Sequence, residues 1–229
     1  MGSEDLFRKR TAKKNKELSR KEKNKRSLDK ILIVCEGSKT EPIYFLECRS
    51  FHKLETAKVI EVTGDCGSDP RSVFNKAKEL YQSSVNNCAP FDKVYCVIDR
   101  DAHPNYLETL DAINKKSPKG VFTAISSVPC FEYWLLLHYT YTTKAYAKTP
   151  RKSSGAQVLQ DLKKYIPKYE KGQHGLFTKL SGLIDTAMKN SERAYNTSLK
   201  NNTDNPSSKI HDLIKHLLQI KQDLEEMKR

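Results

Sequence analysis

Four apolar runs, "ILIVC" (31–35), "AKVIEV" (57–62), "KVYCVI" (93–98) and "GVFTAIS" (120–126), punctuate the first part of the chain, and each is followed by residues at helical spacing. The first run is continuous and ends at a Gly-containing turn, the pattern of a strand buried on both faces. Pro42 can open the helix "EPIYFLECRSF", where Ile43, Phe45, Leu46 and Phe51 are apolar. Val73, Phe74, Ala77 and Leu80 mark a second helix near 71–84, a short one comes next near 104–113, and "CFEYWLLLHY" (130–139) is a mainly apolar fourth. Alternating strands and helices predict an α/β fold with a parallel sheet covered on both faces.

From about residue 144 the character changes. "TKAYAKTPRKSSG" reads as a basic linker, and the remainder of the chain is helical in period: one helix stopped at Pro167, a basic loop, the start of another, and a last amphipathic helix with Ile210, Leu213, Ile214, Leu217 and Leu218 on one side. That helix opens at a Pro-Ser start and is expected to pack back onto the sheet. The division predicted is a basic arm (1–27), an α/β domain (28–145) and a helical C-terminal region (146–229). No internal repeat is present.

A chain of 229 residues can bury a substantial core, and its net charge of +13 favours acidic partners. Residues 1–30 hold twelve Lys or Arg against five Asp or Glu, with few apolar residues to fold around. Such an arm is either a solvated tail or a segment that lies along phosphates, with Arg8, Lys9, Arg10, Lys13 and Lys14 as the contacts. No signal peptide and no membrane-length apolar window are visible, so the expectation is a soluble cytoplasmic protein with no membrane partner. The cysteines at 35, 48, 66, 88, 96 and 130 include no C-x-x-C pair, against both a disulfide framework and a cysteine zinc site.

"GSKT" (37–40) has the look of a P-loop ending, but Ser38 stands where the second Gly belongs and Ile33 where the first would fall. A different chemistry fits better. In open parallel sheets ligands bind at the carboxyl ends of the strands. Glu36 comes directly after the first strand, and Asp99 and Asp101 after the third, in "VYCVIDRDAH". Alternation points Asp99 and Asp101 the same way and turns Arg100 aside. Carboxylates gathered so closely repel unless a cation sits among them, and Mg²⁺ suits oxygen donors, with Mn²⁺ as a substitute.

"ILIVCEGSKTEPIYF", "VYCVIDRDAH", "SSVPCFEYWLLLHY", "LKKYIPKY" and "NPSSKIHDLIKHL", in that order, resemble the successive motifs of RloB-like proteins. The resemblance implies a Toprim-like fold, linkage to restriction-modification loci and phage defence. It further implies that Glu36, Asp99 and Asp101 surround Mg²⁺ in a centre that cuts phosphodiesters in DNA or RNA, with Glu36 as ligand or general base. Many members of the family carry an acidic residue where this chain has Ser38, which predicts a site one carboxylate poorer.

Other residues have two readings each. Lys39 steadies a phosphate oxygen or is simply solvated. Glu132 is a further metal-side carboxylate or an acid favoured by a helix N-terminus. His103 ligates metal or relays protons, or is an exposed histidine; His138 is expected to make a structural hydrogen bond and Trp134 to lie in the core. Arg71, Arg100, Arg151 and Lys152 contact phosphates or form a solvated basic face. The rival to a nuclease is a degenerate Toprim-like module that senses nucleic acid or a nucleotide without cutting. The resemblance also implies an ATPase partner of the AAA or ABC type that gates the chain, with 210–227 and 147–155 as the contact surfaces.

Overall fold

The computed structural model describes residues 28–55, 57–61, 69–100 and 103–228. Arg8, Lys9, Arg10, Lys13, Lys14 and Asp101 lie outside them.

The strands predicted from the apolar runs form one sheet: β1 (Ile31–Cys35), β2 (Ala57–Glu61), β3 (Lys93–Asp99) and β4 (Phe122–Val128), all parallel, in the order β2-β1-β3-β4. The two-residue strand β5 (Ser207–Ser208) closes the β4 edge and runs antiparallel, pairing with Ser127 and Val128. Ser207 and Ser208, read from sequence as part of a helix start, are therefore sheet residues.

Side chains of β1, β3 and β4 alternate across this sheet, and they are apolar on both faces. Leu32, Val34, Val94, Cys96 and Ile98 pack with Val73, Phe74 and Ala77 of helix α2 (Pro70–Asn86) and Ile113 of α3 (Tyr106–Asn114). Ile31, Ile33, Cys35, Tyr95 and Val97 pack on the other side. There they meet Tyr44 and Phe45 of α1 (Thr40–His52), the fully buried α4 (Glu132–Leu137), and helices from the C-terminal region. These are α5 (Ser154–Leu162), α6 (Leu176–Leu180), α7 (Ile184–Lys200) and α8 (Ile210–Met227). One hydrophobic cluster thus joins the sheet to the C-terminal helices.

Local chemistry explains the boundaries. Asp69 caps α2 by accepting from the N–H groups of Arg71 and Ser72, with Pro70 at the first helical position. Ser153 caps α5 through the N–H of Ala156. That helix ends at Leu162, short of the Pro167 expected to stop it, because Lys164 and Tyr165 already turn back on Asp161 and Leu162. The fourth sequence helix, expected over 130–139, is helical over Glu132–Leu137.

The α8 stripe, one of the two docking surfaces expected from sequence, is covered by the chain itself. Ile210, Leu213, Ile214 and Leu217 are buried, as is Ile220, and Leu218 is partly buried against the same core. Trp134 is in the core as expected. His138 is buried with Nδ1 3.1 Å from the Trp134 carbonyl oxygen, and desolvation lowers its pKa to about 4. No disulfide forms among the described residues, and none of their helices is long and apolar enough to cross a membrane.

Candidate metal centre

β1 is followed in sequence by a strand on one side of it and then by β3 on the other, so the chain reverses direction across the sheet between β1 and β3. The carboxyl ends of strands at such a reversal form the crevice where open α/β sheets bind ligands. Glu36 lies directly after β1 and Asp99 ends β3, so adjacency in the sheet brings them together across 63 positions of sequence. The N–H of Glu36 bonds the Val97 carbonyl at 3.0 Å, and the N–H of Asp99 donates to Glu36 Oε2 at 3.1 Å.

A cleft of about 240 Å³ opens over these groups, lined chiefly by Glu36, Lys39, Thr40, Glu41, Asp99 and Lys171. Glu41 is the residue sequence reasoning missed. It lies in the first turn of α1, 8 % exposed, and Gly37 makes room for it: a Cβ there would sit 2.6 Å from Glu41 Cδ. Its only sequence signal was an acid at the start of the helix after the Glu36 turn. Ser38, where an acid was expected in relatives, is exposed and lines the same cleft, and Glu41 adds a carboxylate to it.

Glu132 reaches the same region from the start of α4 and is 2 % exposed. Its Oε1 accepts from the Tyr169 hydroxyl at 3.3 Å and pairs with Lys171 Nζ at 3.1 Å. Both partners come from the loop between α5 and α6, which nothing in the sequence linked to the site. That loop is fastened to α1: the Gly172 N–H bonds Thr40 Oγ1 at 3.1 Å, and Glu47 accepts from the N–H groups of Gly175 and Phe177. Gly172 adopts φ +79°, and a Cβ there would come within 2.9 Å of Lys39 Cβ, so two reasons require glycine.

The electrostatics of the cleft are dominated by buried carboxylates. Asp99 Oδ2 accepts from the Phe131 N–H at 3.0 Å, whereas Oδ1 is buried with no hydrogen-bond partner. Burial, followed by the charges of Glu41 and Glu132, pushes the Asp99 carboxyl well above the usual carboxylate range. His103 adds an imidazole whose Nε2 is 3.9 Å from Glu36 Oε1.

Among the described residues no three His, Cys, Asp or Glu side chains are arranged to hold a metal ion on their own. Mg²⁺ does not need such a cage, since it takes one or two carboxylates and completes its shell with water and substrate phosphate. A buried, partnerless carboxylate oxygen beside hard oxygen donors fits that requirement.

The basic residues are placed differently. Lys39 is exposed on the cleft rim. Arg71 pairs with Glu108 at 3.2 Å, and Arg100 turns away from the cleft to pair with Asp204. Arg151 and Lys152 are exposed in the loop before α5.

No curated protein and no solved structure matches this chain. A family model described as RloB-like protein matches residues 31–217, from the first residue of β1 into α8, and so takes in every described residue of the cleft. Matched over most of its length, the chain belongs to the RloB-like protein family.

Proposed function

We propose that the chain is a Mg²⁺-dependent nuclease with a Toprim-like catalytic centre. The observation that carries this reading is the buried Asp99 Oδ1, without a partner among neighbouring carboxylates at the carboxyl ends of β1 and β3. When bound, Mg²⁺ supplies a Lewis acid for the scissile phosphate and an acidified water. Asp99 and Glu36 would hold it, with Asp101 completing the set.

The chain's own groups do the rest. The Phe131 N–H fixes the Asp99 carboxylate through Oδ2, and Oδ1 would be the oxygen that holds the ion. Glu36, tied to the Asp99 backbone, would be held as a ligand beside Asp99, and His103 next to it would relay the proton of the attacking water. Lys39 and Lys171 border the same cleft and offset charge on phosphate oxygens. Tyr169 orients Glu132.

Nucleic acid as the substrate is supported by the net charge of +13. Family membership supports a role in anti-phage defence and gating by an ATPase partner. With the α8 stripe largely covered, the segment 147–155, exposed over 147–153, is the contact surface for that partner.

A second reading, a module that binds nucleic acid without cutting, is favoured by one contact: Lys171 already neutralises Glu132 without a metal. The two separate in one experiment. Labelled DNA and RNA pools are incubated with the protein, alone and co-expressed with the ATPase, in Mg²⁺, Mn²⁺ or EDTA. Cleavage in either metal, lost in EDTA and in Asp99→Asn, is the expected result. Binding without cleavage under every condition selects the sensor.

A further inference from the structure

A second cleft, of about 270 Å³, lies between the segment after α4 and the end of α5. It is lined by Tyr141, Lys144, Tyr146, Asp161, Lys164 and Tyr165. Asp161 organises it: Lys144 Nζ and Lys164 Nζ reach its two oxygens at 2.7 and 2.6 Å, and the buried Tyr146 donates its hydroxyl to it at 3.1 Å. Both lysine side chains remain more than half exposed.

The aromatic groups are set for stacking. Tyr165 is 43 % exposed and lies nearly parallel to Tyr139, with ring centroids 5.1 Å apart, so one of its faces is backed by a second ring. Tyr141 has the Arg193 guanidinium over its ring at 3.9 Å. The exposed ring of Tyr165 beside lysines suits a planar base with a phosphate attached, because base and ring stack while ammonium groups meet the phosphate.

The two clefts share one segment. Lys164 and Tyr165 line the aromatic cleft, Lys171 lines the carboxylate cleft, and the exposed Lys168 lies between them in sequence. Positions 164 and 171 are seven steps apart along the chain, a span of at most about 25 Å even when extended. A duplex keeps its bases inside its own stack, so only an unpaired strand can place a base on Tyr165.

We propose that the Tyr165 cleft is a nucleotide subsite that takes one unpaired base of a nucleic-acid strand, whose backbone then passes Lys164, Lys168 and Lys171 to the carboxylate cleft. The substrate class is therefore single-stranded DNA or RNA, or an unpaired loop. The path to the carboxylate cleft rests on the nuclease reading; the base site does not.

The test is binding in EDTA, read by fluorescence anisotropy with labelled oligo-uridine, oligo-thymidine and a blunt duplex. Tyr165→Ala should weaken single-strand binding about tenfold, since a stacked base contributes ~1–3 kcal/mol. Tyr165→Phe should match the wild type, and duplex affinity should not change. Lys164→Ala should reduce the single-strand salt slope by about 0.7. Single-strand affinity of Tyr165→Ala within twofold of wild type, or an equal loss for the duplex, would overturn the subsite. Tyr165-dependent binding by a protein that never cleaves would sink the nuclease reading and leave the subsite standing.

Discussion

Asp99 and Asp161 are both aspartates at the edge of a cleft, and they stand in opposite electrostatic surroundings. Asp161 lies between two lysines and a tyrosine hydroxyl, and these bonds outweigh its desolvation and hold its carboxyl to about 2. Asp99 is buried near Glu41, Glu132 and Glu36, has one backbone N–H for a partner, and is pushed well above the ordinary range. A carboxylate whose cations come from the chain is finished structure, and its cleft presents aromatic and basic groups outward. One that lacks them keeps a repelled carboxylate in its cleft, and this is the feature on which the proposed metal site rests.

The sharpest way to break this contrast is to neutralise the repelled carboxylate. Asp99→Asn keeps the Phe131 hydrogen bond but should reduce cleavage by at least about 100-fold, as expected for a lost ligand. Full activity in the variant would end the metal assignment. Next in size is the stabilisation that ion binding brings. At about a hundredfold excess over its dissociation constant, Mg²⁺ should stabilise the wild type by ~2.7 kcal/mol, raising Tm by roughly 5–10 °C. Asp99→Asn should show no such rise, and without Mg²⁺ it should melt at or above the wild-type temperature, since it relieves repulsion. A metal-dependent Tm rise of equal size in both proteins would place the ion elsewhere.

The loop that carries Tyr169 and Lys171 gives a smaller effect. Gly172→Ala forces a side chain into positive φ and against Lys39, and should destabilise by about 1–2 kcal/mol while loosening the hold on Glu132. A denaturation midpoint unchanged from wild type would show that the loop is not clamped there.

The smallest effect belongs to Asp161, where the sign is set by its lowered pKa. Its ion pairs contribute stability that is present above the unfolded-state value near 3.9 and is lost as pH falls toward about 2. Asp161→Asn should therefore be less stable than wild type at neutral pH, with the gap closing between about pH 4 and 2. A gap that stays constant through that range would mean the pairs with Lys144 and Lys164 contribute nothing measurable.

Much of the fold was legible because its determinants are local. The apolar runs at 31–35 and 93–98 are strands for reasons contained in five or six residues, and Asp69-Pro70 starts a helix through bonds to its own next turn. Half of the site was legible in the same way: Glu36 and Asp99 sit at strand ends, and the parallel sheet rule makes strand ends a ligand edge. The position of β5 was not legible, because Ser207 and Ser208 have no strand pattern and owe their conformation to the open edge of β4.

The sequence by itself determined the chemistry available: a parallel α/β sheet, acids at its carboxyl edge, a strongly basic chain and a family membership that the motifs already announced. Tertiary structure alone decided which charges meet. Glu41 joins the site because Gly37 leaves space for it, and Lys171 meets Glu132 across 39 positions because the loop before α6 is bolted to α1 through Glu47 and Thr40. Lys144 and Lys164 meet at Asp161 because α5 packs against α4. The reason is physical: a strand or a cap is fixed by neighbours along the chain, whereas desolvation and charge pairing depend on whatever the fold brings within a few ångströms.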